Sequence, residues 1–155
     1  MSHSTLSADD LATCAQVRAA CACGALRRAA RLITQRYDHA IAPSGLKITQ
    51  LPILVGLAAH GPVPLTPLAE ALALDRTTLT RNLKVLEERE FVTMRPDESD
   101  ARVRLAAITD EGAAALSLAL ARWKEVHGAV LEEFGEPRLK SLYGELSFLT
   151  EAAAG

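Results

Sequence analysis

Residues 65–110 read LTPLAEALALDRTTLTRNLKVLEEREFVTMRPDESDARVRLAAITD, and the spacing of apolar and turn-forming residues along this stretch decides the fold. The first part predicts a short helix. Thr66 is a capping residue type, Pro67 suits a first helical position where its missing N–H needs no partner, and Leu68, Ala69, Leu72 and Ala73 give one apolar face. Asp75 then predicts the cap of a second helix, along which Leu79, Leu83 and Leu86 fall on one side at i, i+4, i+7. Its opposite side carries Thr77, Thr78, Arg81 and Lys84. Phe91 to Arg95 and Val103 to Ile108 are rich in β-branched and apolar residues and predict two strands, with the turn formers Pro96, Asp97, Glu98, Ser99 and Asp100 between them. A lone hairpin is marginally stable, so it needs a third strand or a helix to pack on. The whole is a helix-turn-helix followed by a β-wing.

Outward from this stretch, 155 residues allow one domain with a sizeable core, spanning 1–155. Nearly half the residues are hydrophobic while aromatics make up only 4%, so small apolar side chains must bring helices close together. The formal net charge of −2 excludes a generic polycation, and any binding to nucleic acid must come from charge placement. Residues 48–69 lack Lys, Arg, Asp and Glu and are long enough to span a bilayer. Pro52, Gly61, Pro62, Pro64 and Pro67 interrupt them, and no membrane helix is expected. The start, Met-Ser-His-Ser-Thr, is unlike a signal peptide, and three cysteines argue against a disulfide framework. The expectation is a soluble cytoplasmic protein.

Residues 9–41 predict one long helix, stopped by Pro43-Ser44-Gly45; it holds Arg18, Arg27, Arg28, Arg31 and Arg36 with no acid between Asp10 and Asp38. Residues 49–60 predict another, with Thr49 as cap and Leu51, Leu54, Val55 and Ala58 inward, and Val63-Pro64-Leu65 could add a third strand to the wing. Together 49–108 form the winged lobe. After it, Thr109 can cap a helix with Asp110 and Glu111 in its first turn, where the helix dipole favours acids, and that helix runs to about Phe134 before Gly135-Glu136-Pro137. The last helix carries Leu139, Leu142, Leu146 and Leu149, spaced like a coiled-coil seam. A small domain gains little from apolar seams on its terminal helices unless they meet a partner, so 9–41 and 110–155 are read as the dimerisation helices of a homodimer.

These pieces together resemble the MarR family of bacterial transcription regulators. The resemblance rests on the run LDRTTLTRNLKVLEERE, on Asp100-Ala101-Arg102 in the wing, on Ile108-Thr109-Asp110-Glu111-Gly112 after it, and on Gly45-Leu46-Lys47-Ile48-Thr49-Gln50 upstream. It covers about residues 10–150. One departure is Glu90, where the family usually has glycine, so a left-handed glycine cap is not available and the helix-to-strand turn is expected to be built differently. The resemblance implies a mainly α winged helix-turn-helix dimer that binds double-stranded, pseudo-palindromic DNA. Arg76, Thr77, Thr78, Thr80, Arg81 and Lys84 would face the duplex; arginine can bond guanine bidentately, which makes Arg81 the best base reader, and Lys84 suits phosphate. Arg102 would enter the minor groove braced by Asp100, flanked by Arg95 and Arg104. From Asp75 to Arg104 seven basic side chains meet seven acidic ones, so without the motif these would read as ordinary surface charges.

The remaining chemistry is sparse. His3, His39, His60 and His127 share no ligand spacing, no Cys-x-x-Cys, phosphate-binding glycine loop or nucleophile elbow occurs, and neither metal nor cofactor is expected. Cys14, Cys21 and Cys23 read first as small core hydrophobes. A second resemblance, to the organic-peroxide-sensing branch of the family, places a redox sensor at Cys23, at the matching distance from Thr34, Tyr37 and Gly45-Leu46. Tyr37 matches one tyrosine that bonds such a cysteine across the dimer; Arg27 and Ile48 stand where the other two would be. In a continuous helix Cys21 and Cys23 lie about 200° apart and cannot bridge. A small-molecule effector is the other expected trigger, in a region that could draw on Tyr37, Trp123 and His39. The rival readings are a thiol redox enzyme using Cys21 or Cys23, and a helical interaction protein without DNA.

Overall fold

The computed structural model describes residues 6–154, in the order α1 (Ala8–Ala20), α2 (Ala22–Ile41), α3 (Leu51–His60), β1 (Val63–Pro64), α4 (Leu65–Ala71), α5 (Arg76–Glu88), β2 (Val92–Pro96), β3 (Arg104–Ile108), α6 (Asp110–Phe134) and α7 (Glu136–Ala154). The chain divides into two units, one ending at Arg36 and the other beginning at Tyr37.

The first unit corrects the expectation of one helix over 9–41. Helix α1 opens on a capping box, in which Ser7 and Asp10 satisfy each other's backbone N–H groups, and it ends at Cys21, whose backbone is extended at φ −72, ψ 109. Helix α2 starts afresh at Ala22. Cys21 therefore sits at a break, and the argument that 200° of helix separates it from Cys23 does not hold. No residue of α1 is buried within this chain.

The second unit holds the core. Ile41, Leu46, Ile53, Leu54, Leu57, Leu79, Leu83 and Leu86 are its largest fully buried side chains, joined by Leu51, Leu68, Val92, Ala106, Leu116 and Ala119. The end of α2 passes through a 3-10 turn, Ala42–Ser44, to Gly45 at φ 76, as Pro43-Ser44-Gly45 predicts. Helix α3 begins later than expected, after Gln50, whose side-chain oxygen accepts from the Lys47 N–H; Thr49 is not its cap. Its inward face is Leu51, Ile53, Leu54 and Leu57, while Val55 and Ala58 point outward, a rotation of the face from the one expected.

The wing is a three-stranded antiparallel sheet in the order β1-β3-β2. Ala106, fully buried, pairs with Val63 on one side and Met94 on the other, so the third strand is present over Val63–Pro64. Pro64 stands on the edge strand, where its missing N–H costs no ladder bond. Leu65 leaves the strand to start α4, with Pro64 as the residue before it, which puts Pro67 third in that helix and leaves Thr66 inside the first turn rather than at the cap.

Both helices of the helix-turn-helix end alike. After α4, Ala73 donates to the Glu70 carbonyl and Leu74 to that of Ala69; after α5, Glu90 donates to Glu87 and Phe91 to Leu86. Each is the paired closure that usually places glycine in the left-handed residue. Here Ala73 (φ 50) and Glu90 (φ 60) take that conformation themselves. The turn at Glu90 is thus built in the usual way with an unusual residue, against the expectation that it would differ. Thr109 fastens it from outside: its N–H donates to the Phe91 carbonyl at 3.1 Å and its hydroxyl to that of Glu90 at 2.6 Å. Gly112 lies so close to the Phe91 carbonyl that a side chain there would overlap it, which accounts for glycine at the end of Ile-Thr-Asp-Glu-Gly.

Candidate nucleic-acid interface

Helix α5 is held at its start by Asp75, whose carboxylate accepts from the Thr78 N–H at 2.8 Å and from the Thr78 hydroxyl at 2.6 Å. Those bonds, the hydroxyl's first, keep the Asp75 carboxyl below the usual carboxylate range. Leu79, Leu83 and Leu86 anchor the helix in the core, which turns Thr77, Arg81 and Lys84 outward, all exposed. Thr78, expected beside them, is half-buried. The Thr80 hydroxyl donates to the Arg76 carbonyl at 2.7 Å, so Thr78 and Thr80 have both committed their protons to the helix or its cap, while among the described residues no such bond ties Thr77. Lys84 lies 3.9 Å from Glu88 in an exposed i,i+4 pair, which is worth little.

The wing tip is ordered by acids rather than by glycine. Asp97 accepts from the N–H groups of Ser99 and Asp100 and from the Ser99 hydroxyl, and the hydroxyl bond leads the causes that lower its pKa. Asp100 holds Arg102 in a fork, Nε to Oδ1 and Nη2 to Oδ2, each 3.0 Å. That pair lowers the Asp100 pKa and raises that of Arg102, whose side chain is still 91% exposed. The guanidinium is aimed but not enclosed. Arg95 reaches Glu98 at 3.9 Å, and Arg104 donates to the Met94 carbonyl in a long 3.5 Å bond. Arg76, Arg81, Arg95, Arg102 and Arg104 are exposed on one lobe, on α5, on strands β2 and β3 and on the turn between them. One arginine of this stretch does different work: Arg89 donates to the Gly45 carbonyl and lies 6.0 Å from the Phe91 ring centroid, tying the end of α5 to the loop before α3.

This geometry has counterparts. The profile of the MarR family matches residues 46–103. A DNA-bound crystal structure of the transcriptional regulator MosR of M. tuberculosis is 36% identical, covers 86% of this chain and 98% of its own, and superposes with a TM-score of 0.74. The chain belongs to the MarR family. Among curated MarR-like relatives, the transcriptional repressor NicR of Pseudomonas putida is 32% identical over 91 residues, 59% of this chain and 58% of NicR. The organic hydroperoxide resistance transcriptional regulator of Bacillus subtilis is 30% identical over 91 residues, 59% of this chain and 62% of that protein. The chain spans about three fifths of the length of these curated relatives.

Within the MarR frame, the expected trigger residues fall in different places. Cys14, Cys21 and Cys23 are free and exposed within this chain, not core residues. Tyr37 Oη and His127 Nδ1 are hydrogen-bonded at 2.9 Å, and the Trp123 ring stacks on His127 with centroids 4.5 Å apart and planes 13° from parallel. Tyr37, Trp123 and His127 are thus brought together, whereas His39 is exposed. The sequence gives His127 no signal of this beyond its spacing of four from Trp123. Among the described residues no group of three His, Cys, Asp or Glu side chains could hold a metal ion.

Proposed function

We propose that this protein is a sequence-specific DNA-binding regulator of transcription, a homodimeric repressor that grips pseudo-palindromic operator DNA in the cytoplasm and acts by binding rather than by catalysis. The observation that carries the reading is the outward face of α5, with Thr77, Arg81 and Lys84 exposed over a buried leucine spine, on the same lobe as a wing whose Arg102 is held by Asp100. The first favours entry into the major groove and the second suits a narrow, electronegative minor groove. That the similar MosR has been solved with DNA, and that NicR is a repressor, supports it. Among the described residues no helix is long and apolar enough to cross a membrane.

The test is selection of duplexes from a random pool, then anisotropy titration of the enriched site. Half-sites about one helical turn apart, roughly 10 bp, are expected. Arg81→Ala weakens the enriched site by about 1–3 kcal/mol and relaxes one base pair per half-site, and Lys84→Ala weakens all sequences alike and flattens the salt dependence. Arg102→Ala acts mainly at sites with A·T-rich flanks. Enrichment of no sequence refutes the reading.

Release is the part where thiol and ligand compete. The exposed Cys23, near the start of α2, and the similarity to a hydroperoxide-resistance regulator favour oxidation: a thiolate takes the terminal oxygen of an organic hydroperoxide as the O–O bond breaks, and with one proton from water this gives a sulfenic acid and the alcohol. Release from operator by hydroperoxide in wild type and Cys21→Ser, but not in Cys23→Ser, is the expected result. Equal release in both variants, or none in wild type, leaves a small molecule as effector, and steady peroxide turnover without DNA makes the protein a thiol enzyme instead.

A further inference from the structure

Between the wing and the start of α5 runs a cleft of about 140 Å³, lined by Pro64, Leu65, Thr66, Arg76, Arg102, Val103 and Arg104. The chain meets itself there at the junction of β1 and α4, at the first residue of α5, and at the wing turn running into β3. We propose that this cleft is the seat of a single DNA backbone phosphate, held from one side by Arg76 and from the other by Arg104. The inference rests on the DNA-binding reading above and goes beyond it, because it assigns two arginines from separate elements to one phosphodiester.

The argument is one of charge. The lining holds three guanidiniums and no carboxylate. Arg102 is neutralised by its fork with Asp100, but among the described residues neither Arg76 nor Arg104 has an ion-pair partner. The nearest acid in sequence to Arg76 is Asp75, and both its oxygens are spent on Thr78. Among the described residues the Arg104 guanidinium makes only a long bond, to the Met94 carbonyl. Cations gathered on a concave wall repel one another unless an anion enters, and a concave wall focuses their field outward. The volume is several times the ~30 Å³ that one water molecule occupies in the liquid, room for a tetrahedral oxyanion with its ester oxygens. Guanidinium forks match such an oxyanion, and the Thr66 hydroxyl offers a donor on the third wall. The first helix of a helix-turn-helix crosses the sugar–phosphate backbone while the second reads bases, so a phosphate lies where these elements converge. Arg76 is then a positioning contact that fixes the register of α5 and wing together, and base reading on this helix falls to Arg81 and Thr77.

The test uses the full-length protein and the duplex enriched by selection, with single neutral methylphosphonates placed in turn at each phosphate. One position per half-site is expected where charge removal weakens wild-type binding roughly tenfold, the size of one charge-assisted hydrogen bond. Arg76→Ala and Arg104→Ala should each cost a similar factor on native DNA, lower the salt slope by about one, and lose little more when that same phosphate is neutral. Arg76→Lys and Arg104→Lys should recover part of the affinity, since a phosphate accepts a point charge where a guanine edge needs the fork. Losses that map to different phosphates, or no coupling at any position while wild type binds its site, overturn the seat alone. A wild-type protein that enriches no duplex overturns the DNA reading and the seat with it.

Discussion

The winged lobe and the terminal helices place their apolar side chains differently. In α3, four of ten residues are buried, and α5 sinks Leu79, Leu83 and Leu86 completely or nearly so. In α7, nineteen residues long, Leu139 is the only buried side chain among the described residues, while Leu142, Tyr143, Phe148 and Leu149 are 39–68% exposed; α1 leaves Leu11 and Val17 more than half exposed. The lobe's core side chains are covered within the chain, in part by Ile41 from the end of α2 and by Leu116 and Ala119 of α6. The terminal helices carry apolar surface that one chain leaves in water, the mark of a face awaiting a partner. On the proposed reading, DNA contact falls to the lobe and assembly to the apolar faces of the terminal helices, and a charge placed on one of those faces should leave the lobe folded.

The sharpest way to break this contrast is to charge the seam. Leu142→Glu with Leu146→Glu is expected to give a protein of single-chain mass by light scattering at micromolar concentration, with a folded lobe. Operator affinity should drop about 10²–10⁴-fold, because the second half-site is then no longer held at high effective concentration. A double variant that remains dimeric, or a monomer that keeps full affinity, refutes the division. Next in size is the opposite experiment. Leu79→Ala empties a fully buried position under the recognition helix and should cost about 2–5 kcal/mol in denaturant unfolding, with dimer mass unchanged under native conditions.

How far the sequence carries this picture differs between the regions for the same reason. In the lobe, a 3.6-residue period, an aspartate before α5 and five turn formers at the wing tip all pointed one way, and α5, the hairpin and Ala106 at the centre of a third-strand pairing follow. The cap of α4 did not follow, since Pro64 closes a strand and opens a helix at once, and Thr66 falls two residues past the cap. The break at Cys21 was not legible at all: Arg18-Ala-Ala-Cys-Ala-Cys23 contains no proline, glycine or capping residue to mark it. Of the site, the identities of the arginines could be read, but their partners could not. Which hydroxyls were spent, that Arg89 serves the fold, and that Arg76 and Arg104 share a cleft are facts of tertiary placement.

Acid offers a smaller test of the lobe. Asp75 and Asp100 are held below the ordinary carboxylate range by Thr78 and Arg102 respectively. A depressed folded pKa contributes stability that is present above the unfolded value near 3.9 and is lost as pH falls through the folded value. Asp75→Ala should therefore lower the melting temperature by roughly 2–4 °C at neutral pH, the usual effect of losing a helix cap in a chain of this size. The gap between variant and wild type should close below about pH 4. A gap that stays constant into acid means the cap works through something other than its charge.

The smallest effect concerns the two helix ends of the lobe, and its sign is the opposite. Glu90 sits at φ 60 with its side chain exposed and forms no ion pair among the described residues. The closing bonds of the turn, Glu90 to Glu87 and Phe91 to Leu86, and the clasp from Thr109 all involve backbone atoms of residues 86–91 and so survive any side-chain change. A left-handed conformation costs a residue with a Cβ about 1–2 kcal/mol, and glycine pays none of it. Against that, glycine gains about 0.4–1 kcal/mol of freedom in the unfolded chain. Strain wins by a narrow margin, so Glu90→Gly should stabilise the lobe by about 0.5–1 kcal/mol, a rise of roughly 1–4 °C in melting temperature. Ala73→Gly, at φ 50 after α4, should behave alike, because the same pair of bonds closes that turn. Neither change touches the seam or the cleft, so dimer mass and operator affinity should not move. Loss of stability in both variants would mean that the left-handed residues are not strained. Loss in Glu90→Gly alone would mean that the glutamate side chain does something at the base of the wing that its exposure conceals.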